Sequence, residues 1–120
     1  AAKAGLPCLT ALLRGVLCNF LVCIAVWMSL AAQSVPGKLA AMYLPIFTFV
    51  LCGFEHSVAN MFYLPAGILA AGRYGVAAEG LSWASMWMGN LLPVTLGNIL
   101  GGCLVGVVYW AVYLRRGRRV

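Results

Sequence analysis

The sequence predicts an all-α integral membrane protein of three crossings, the central one broken by a polar segment. Of its 120 residues 64% are hydrophobic and 8% charged, and the mean hydropathy is +0.99. A water-soluble domain carries about 25% charged residues, so this chain could not cover its own surface in water. The lipid bilayer is the solvent that fits. Its apolar residues fall into three long stretches, and only the middle one is interrupted by ionisable side chains, Glu55 and His56.

The first stretch covers residues 15–32, with 6–14 as an entry turn, giving a span of about 6–32. About 20 apolar residues cross ~30 Å of hydrocarbon, so the length suffices. Gln33-Ser34-Val35-Pro36-Gly37-Lys38 then marks a turn. The third stretch covers 90–114. Trp83 and Trp87 precede it, and Tyr109, Trp110 and Tyr113 occupy its far end, as expected of interfacial aromatics. Gly97, Gly101, Gly102 and Gly106 form GxxxG spacings within it. Small residues one turn apart let another helix approach closely, so these glycines are expected to pack. A phosphate loop would need a Lys-Ser/Thr ending, which is missing.

In the middle stretch, residues 39–51 are apolar, 52–60 are polar or small, and 61–71 are apolar again. At 1.5 Å per residue each apolar half covers roughly 17–20 Å, too little to span. Both together are too long for one straight helix. The economical arrangement is a single crossing over 39–71 made of two half-helices, interrupted near 52–60. Backbone leaves helical geometry at that depth only where protein or a water-filled cavity surrounds it.

The formal charge is +6, but four of the eight basic residues are Arg115, Arg116, Arg118 and Arg119, in a tail over 115–120. The positive-inside rule makes such a cluster a cytoplasmic anchor rather than a nucleic-acid patch. The turn at 33–38 then shares the cytoplasmic side, which holds five Lys/Arg, against three (Lys3, Arg14, Arg73) on the other. Cys8, Cys18, Cys23, Cys52 and Cys103 show no CxxC or Cys/His spacing, so packing is expected of them and no metal or redox role. No enzyme constellation is present: Ser57 adjoins His56, but adjacency alone makes no nucleophile–base pair. Position 1 is Ala, and no signal-peptide pattern follows, so the chain reads as a fragment or the second half of a longer protein.

An ionisable residue at membrane depth is a functional candidate by default. The second half-helix is expected to begin near residues 57–60, its free N–H groups and positive dipole end pointing into the break. His56, the only histidine, adds a donor or, if protonated, a charge. Asn19 is the other polar group at comparable depth in the first span. Donors outnumber acceptors, which suits a small anion. A cation path would need rings of carboxylates, and Glu55 is the only acid in any span. Glu55 is expected to hold backbone N–H groups at the break or orient the neighbouring loop, in a supporting role with Ser57. Arg14 has three open roles: snorkelling outward, lining a vestibule, or bridging protomers.

Three motifs, in order, carry a family resemblance. Arg14-Gly15-Val16-Leu17-Cys18-Asn19-Phe20-Leu21-Val22-Cys23, followed by Ala25-Val26-Trp27-Met28, resembles the fourth transmembrane segment of formate–nitrite transporters. Gly53-Phe54-Glu55-His56-Ser57-Val58-Ala59-Asn60-Met61 resembles the signature of that family's broken fifth helix. Asn90-Leu91-Leu92-Pro93-Val94-Thr95-Leu96-Gly97-Asn98-Ile99-Leu100-Gly101-Gly102 is similar to its sixth. The resemblance implies the second of two inverted three-helix repeats, and an aquaporin-like pore in each protomer of a homopentamer in the cell (inner) membrane. It implies no cofactor. His56 matches the central pore histidine, Asn19 the asparagine facing it, and Asn60 and Lys3 polar residues of the outer vestibule. Phe49 matches an outer hydrophobic constriction and Val22 a residue near the inner one. Phe54, Pro65-Ala66-Gly67 and Pro93 look more like formate channels than nitrite channels.

The implied function is passive or proton-coupled movement of formate and related small monocarboxylate or inorganic anions, with nitrite or hydrosulfide as alternatives. A bare anion in an apolar constriction meets a large desolvation penalty. Protonating formate removes it, and a histidine with its ordinary pKa near 6.5 suits a relay. Alternatively, a neutral His56 only donates a hydrogen bond. Two readings of other classes stand beside these: a haem-ligating membrane anchor subunit, for which one histidine is few, and a neutral-solute channel, for which the Asn-Pro-Ala signature is missing.

Overall fold

Local chemistry sets each helix boundary in the computed structural model, which describes residues 3–115. Arg116, Arg118 and Arg119 of the basic tail lie outside the described residues. Pro7, which has no amide hydrogen to satisfy, precedes α1 (Cys8–Ala31). α2 (Val35–Leu51) starts at Ser34, whose Oγ accepts from the Gly37 N–H at 3.2 Å, with Pro36 in the first turn. It ends in a glycine cap: Gly53 has φ 64°, its N–H bonds the Val50 carbonyl at 3.1 Å, and the Phe54 N–H bonds the Phe49 carbonyl at 3.0 Å. A left-handed glycine there satisfies carbonyls that the helix end would orphan. α3 (Ser57–Tyr74) opens on His56 and closes on Gly75, at φ 63°.

The last helical run is Ser85–Leu114, with α4 (Leu92–Tyr109) flanked by wider π-type turns over Ser85–Leu91 and Trp110–Leu114. Pro93 has no N–H for the ladder, and the register slips beside it, the Leu92 N–H bonding the Trp87 carbonyl. Among the described residues the fold is all-helical. The segment without helix between α2 and α3 is 52–56, shorter than the 52–60 expected. Ser57 and Asn60 are polar but helical, because other side chains take up their polar groups (below).

α1 and α4 form the main packed pair. Ala11, Gly15, Cys18 and Ala25 are buried on α1, and Pro93, Val94, Gly97, Asn98 and Gly101 on α4. A Cβ built on Gly97 would fall on the Leu12 carbonyl oxygen, and one on Gly101 on that of Val16. One on Gly15 would lie 2.7 Å from the Val94 carbonyl oxygen. The two backbones meet directly, as small residues permit. Gly102 faces Asn19, its built Cβ 2.9 Å from Nδ2. Gly106 departs from expectation and meets nothing within 4 Å. Trp27 meets Tyr109 edge-on at this end (4.4 Å between ring centroids), and an apolar groove of about 580 Å³ lies beside Gly102 and Gly106.

Large apolar side chains such as Leu13, Leu17, Leu96, Leu100 and Leu104 face outward, whereas Glu55, Ser57, Asn60, Asn90 and Asn98 are buried. This inverts the usual soluble-protein pattern. α2 packs on α1, and α3 rests through Leu64 on Met86 and Leu91. Cys8–Ala31 and Ser85–Leu114 are long and apolar enough to cross a membrane, and Val35–Leu51 is a shorter apolar helix.

Gly101→Val in the full-length protein is expected to destabilise it by at least about 1–3 kcal/mol, since the added methyls meet backbone that cannot swing aside. Heating the detergent-extracted protein in steps and measuring what stays folded tests this; a variant as heat-resistant as the parent contradicts it.

Candidate functional site

The site forms where residues 52–56 pass between the N-terminal half of α1 and the start of α4. Its backbone is stitched to α1: the Glu55 N–H reaches the Arg14 carbonyl at 3.4 Å, and Arg14 Nη1 the Gly53 carbonyl at 3.4 Å. Burial alternates along the chain, with Phe54 and His56 half-buried and Glu55 and Ser57 buried. His56 itself is extended (φ −104°, ψ 115°). Successive side chains in extended backbone point to opposite sides, and here that separates the acid from the imidazole.

Glu55 lies in a closed polar pocket. Its Oε1 accepts from Lys3 Nζ at 2.8 Å; the Lys3 side chain is 39% exposed and that of Glu55 2%. Oε2 accepts from Asn60 Nδ2 and, at 3.2 Å, from Asn90 Nδ2. Asn60 Nδ2 also donates to Asn90 Oδ1 at 2.8 Å, and Asn90 Nδ2 to the Lys3 carbonyl at 2.9 Å. A buried carboxylate is tolerable when paired and fully hydrogen-bonded, and this one is both. Toward the surface, Lys3, Leu6, Arg14, Gly53 and Glu55 line a cavity of about 220 Å³.

His56 caps α3. Its Nδ1 accepts from the Ala59 N–H at 3.3 Å, the geometry that suits the tautomer with its hydrogen on Nε2. Asn98 Oδ1 holds the Ser57 N–H at 3.0 Å. Two of the first three amides of α3 therefore have protein partners, and the supply of free donors expected at this helix end is smaller. The Phe49 ring lies 5.9 Å from the imidazole.

The other expected residues have the following surroundings. Asn60, expected on a vestibule wall, is 1% exposed and belongs to the Glu55 pocket. Lys3 is tied to Glu55 and only partly free. Asn19 is half-buried, and its Nδ2 donates to the Asn98 backbone carbonyl at 2.6 Å; no hydrogen bond joins it to His56 among the described residues. Of the two roles expected of Glu55, holding backbone amides or orienting the neighbouring loop, its carboxylate is seen holding side chains, those of Lys3, Asn60 and Asn90. Val22 is half-buried on α1.

Residues 1–111 match the formate/nitrite transporter family profile. The chain belongs to that family. Among formate/nitrite transporters it is 48% identical over 103 residues to a probable formate transporter of Methanothermobacter thermautotrophicus, covering 85% of this chain and 35% of that protein. It is 46% identical over 113 residues to formate channel FocA of Escherichia coli (strain K12), covering 84% of this chain and 40% of FocA. A solved pentameric formate channel with formate bound superimposes with a TM-score of 0.79 at 40% identity, over 94% of this chain and 49% of that one. The chain thus spans 35–40% of the length of these curated relatives. They are named as transporters and channels, not as enzymes or haem anchors.

Sequence reasoning missed Asn90 and Asn98 as site residues. The available signal was a pair of carboxamides on one face of an otherwise apolar helix, the face that also carries Gly97 and Gly101.

Lys3→Met in the full-length protein is expected to cost about 1–3 kcal/mol, because it leaves a buried carboxylate without its cation. Adding Glu55→Gln should recover at least half of the loss. A double-mutant cycle on thermal stability measures the coupling, and strictly additive losses would show that Lys3 does not neutralise Glu55.

Proposed function

We propose that this chain is the second inverted three-helix repeat of an aquaporin-like membrane channel for formate and related small monovalent anions, homopentameric at full length, with its C-terminus in the cytoplasm. The observation that carries the reading is His56, whose ring caps α3 through Nδ1 and leaves Nε2, beside Phe49, without a hydrogen-bond partner among the described residues. In this reading α2 and α3 make one interrupted crossing. Its break is allowed because α1 and α4 satisfy the backbone there.

Arg14, in the cavity beside Gly53, draws anions toward the break, while Lys3 in the same cavity offsets the Glu55 charge that would repel them. Phe49 forms the outer constriction, where the ion sheds water, and Val22 lies near the inner one. His56 is the central pore residue and donates from Nε2 to the passing anion, with Asn19 as a wall residue anchored by its bond to Asn98. Asn60 and Ser57 support from the protein side.

The Nδ1 contact favours the neutral-donor version over the proton relay. A relay passes through the imidazolium, and protonating Nδ1 releases the Ala59 amide. Formate flux and accompanying proton flux through the full-length channel in proteoliposomes test both. His56→Asn keeps a donor but cannot carry the proton; the neutral-donor version expects flux within about threefold of the parent and an unchanged proton ratio. His56→Ala should lower flux about tenfold, the scale of one hydrogen bond to a charged group. Loss of proton coupling in His56→Asn would support the relay, and a parent without formate flux would sink the channel reading. Nitrite and hydrosulfide in the same vesicles rank the permeants.

A further inference from the structure

We propose that Asn98 positions the His56 imidazole by holding the backbone on both sides of it. The proposal rests on the reading of His56 as the group that meets the anion, and adds to it a residue from another helix. Asn98 is buried on α4. Its Nδ2 donates to the Glu55 carbonyl at 3.0 Å and the Gly15 carbonyl at 2.9 Å. Its Oδ1 accepts from the Ser57 N–H at 3.0 Å and from Ser57 Oγ at 2.9 Å. The two carbonyls only accept and the Ser57 amide only donates, so the carboxamide has one possible orientation. Both of its N–H groups are used, and its oxygen takes two donors.

Glu55 and Ser57 are the residues immediately before and after His56. One side chain therefore fixes the carbonyl entering His56 and the amide leaving it, and with them the direction in which the ring leaves the chain. Gly15 makes the approach possible, since a Cβ there would lie 3.2 Å from Asn98 Nδ2. Asn19 bonds the Asn98 carbonyl and ties the same turn of α4 to α1. Among the described residues Asn98 makes no hydrogen bond to the imidazole; it acts through the backbone.

Asn98→Asp in the full-length channel is the test. The carboxylate keeps both Ser57 contacts and sets an oxygen against the Glu55 and Gly15 carbonyls. Three quantities are read: assembly by size-exclusion chromatography, formate flux in proteoliposomes, and the 15N-histidine spectrum in lipid, with the His56 signal assigned by its loss in His56→Asn. The expected result is an assembled channel with flux reduced about tenfold or more and a His56 Nδ1 resonance shifted from the parent's. Unchanged flux overturns the proposal, and so does lower flux with an unmoved resonance, which marks a role in packing alone. If Asn98→Asp does not assemble, Ser57→Ala removes one contact without adding charge. It should shift the same resonance and lower flux about two- to fivefold, and an unmoved resonance again overturns the proposal. A parent without formate flux defeats the channel reading instead, while the resonance still tests the clamp.

Discussion

A helix that ends in an apolar layer releases amides and carbonyls with no water to receive them, and the structure around residues 52–56 answers that shortage with its own groups. Gly53 turns the chain so that α2 closes on itself. His56 and Asn98 take amides of α3, and Asn98 takes the Glu55 carbonyl. Among the described residues, no buried side-chain nitrogen or oxygen lacks a partner. An unsatisfied group in such surroundings costs several kcal/mol on the order of a whole domain's margin of stability. Completeness here is a condition of the fold.

That condition links packing to chemistry. Gly97 and Gly101 let α4 lie directly on the backbone of α1. The closeness brings Asn98 within reach of the Gly15 carbonyl on one side and of residues 55 and 57 on the other. A wider helix pair would leave the carboxamide stranded between them. The glycines therefore belong to the site as much as to the core.

What could be read from the sequence was whatever one residue or one short motif decides. The helical class follows from the apolar stretches, and the turn at 33–38 marks the end of the first helix by its own residue types. The family follows from three motifs in order. Pairings across the chain were not legible. Lys3 and Glu55 lie 52 positions apart, and nothing local says that the lysine's partner is the acid rather than a passing ion. The non-helical segment was expected to be longer because Ser57 and Asn60 are polar. Polarity in a first turn indicates loop only where no partner is at hand, and Asn98, Glu55 and Asn90 provide partners here. Asn90 and Asn98 escaped notice because a carboxamide in an apolar helix announces a partner without naming it.

The alternation in burial through residues 54–57 bears on selectivity. Neighbouring α-carbons carry a carboxylate and an imidazole, yet the extended backbone sends the first into a pocket closed by Lys3, Asn60 and Asn90 and the second to the opposite side. In the proposed channel a visiting anion would face the ring while the acid's field is spent on an ammonium and two amides. Parity enforces this division of labour. In that reading, a backbone that exchanged the two sides would present negative charge to the visitor and hide the ring, with the composition of the segment unchanged.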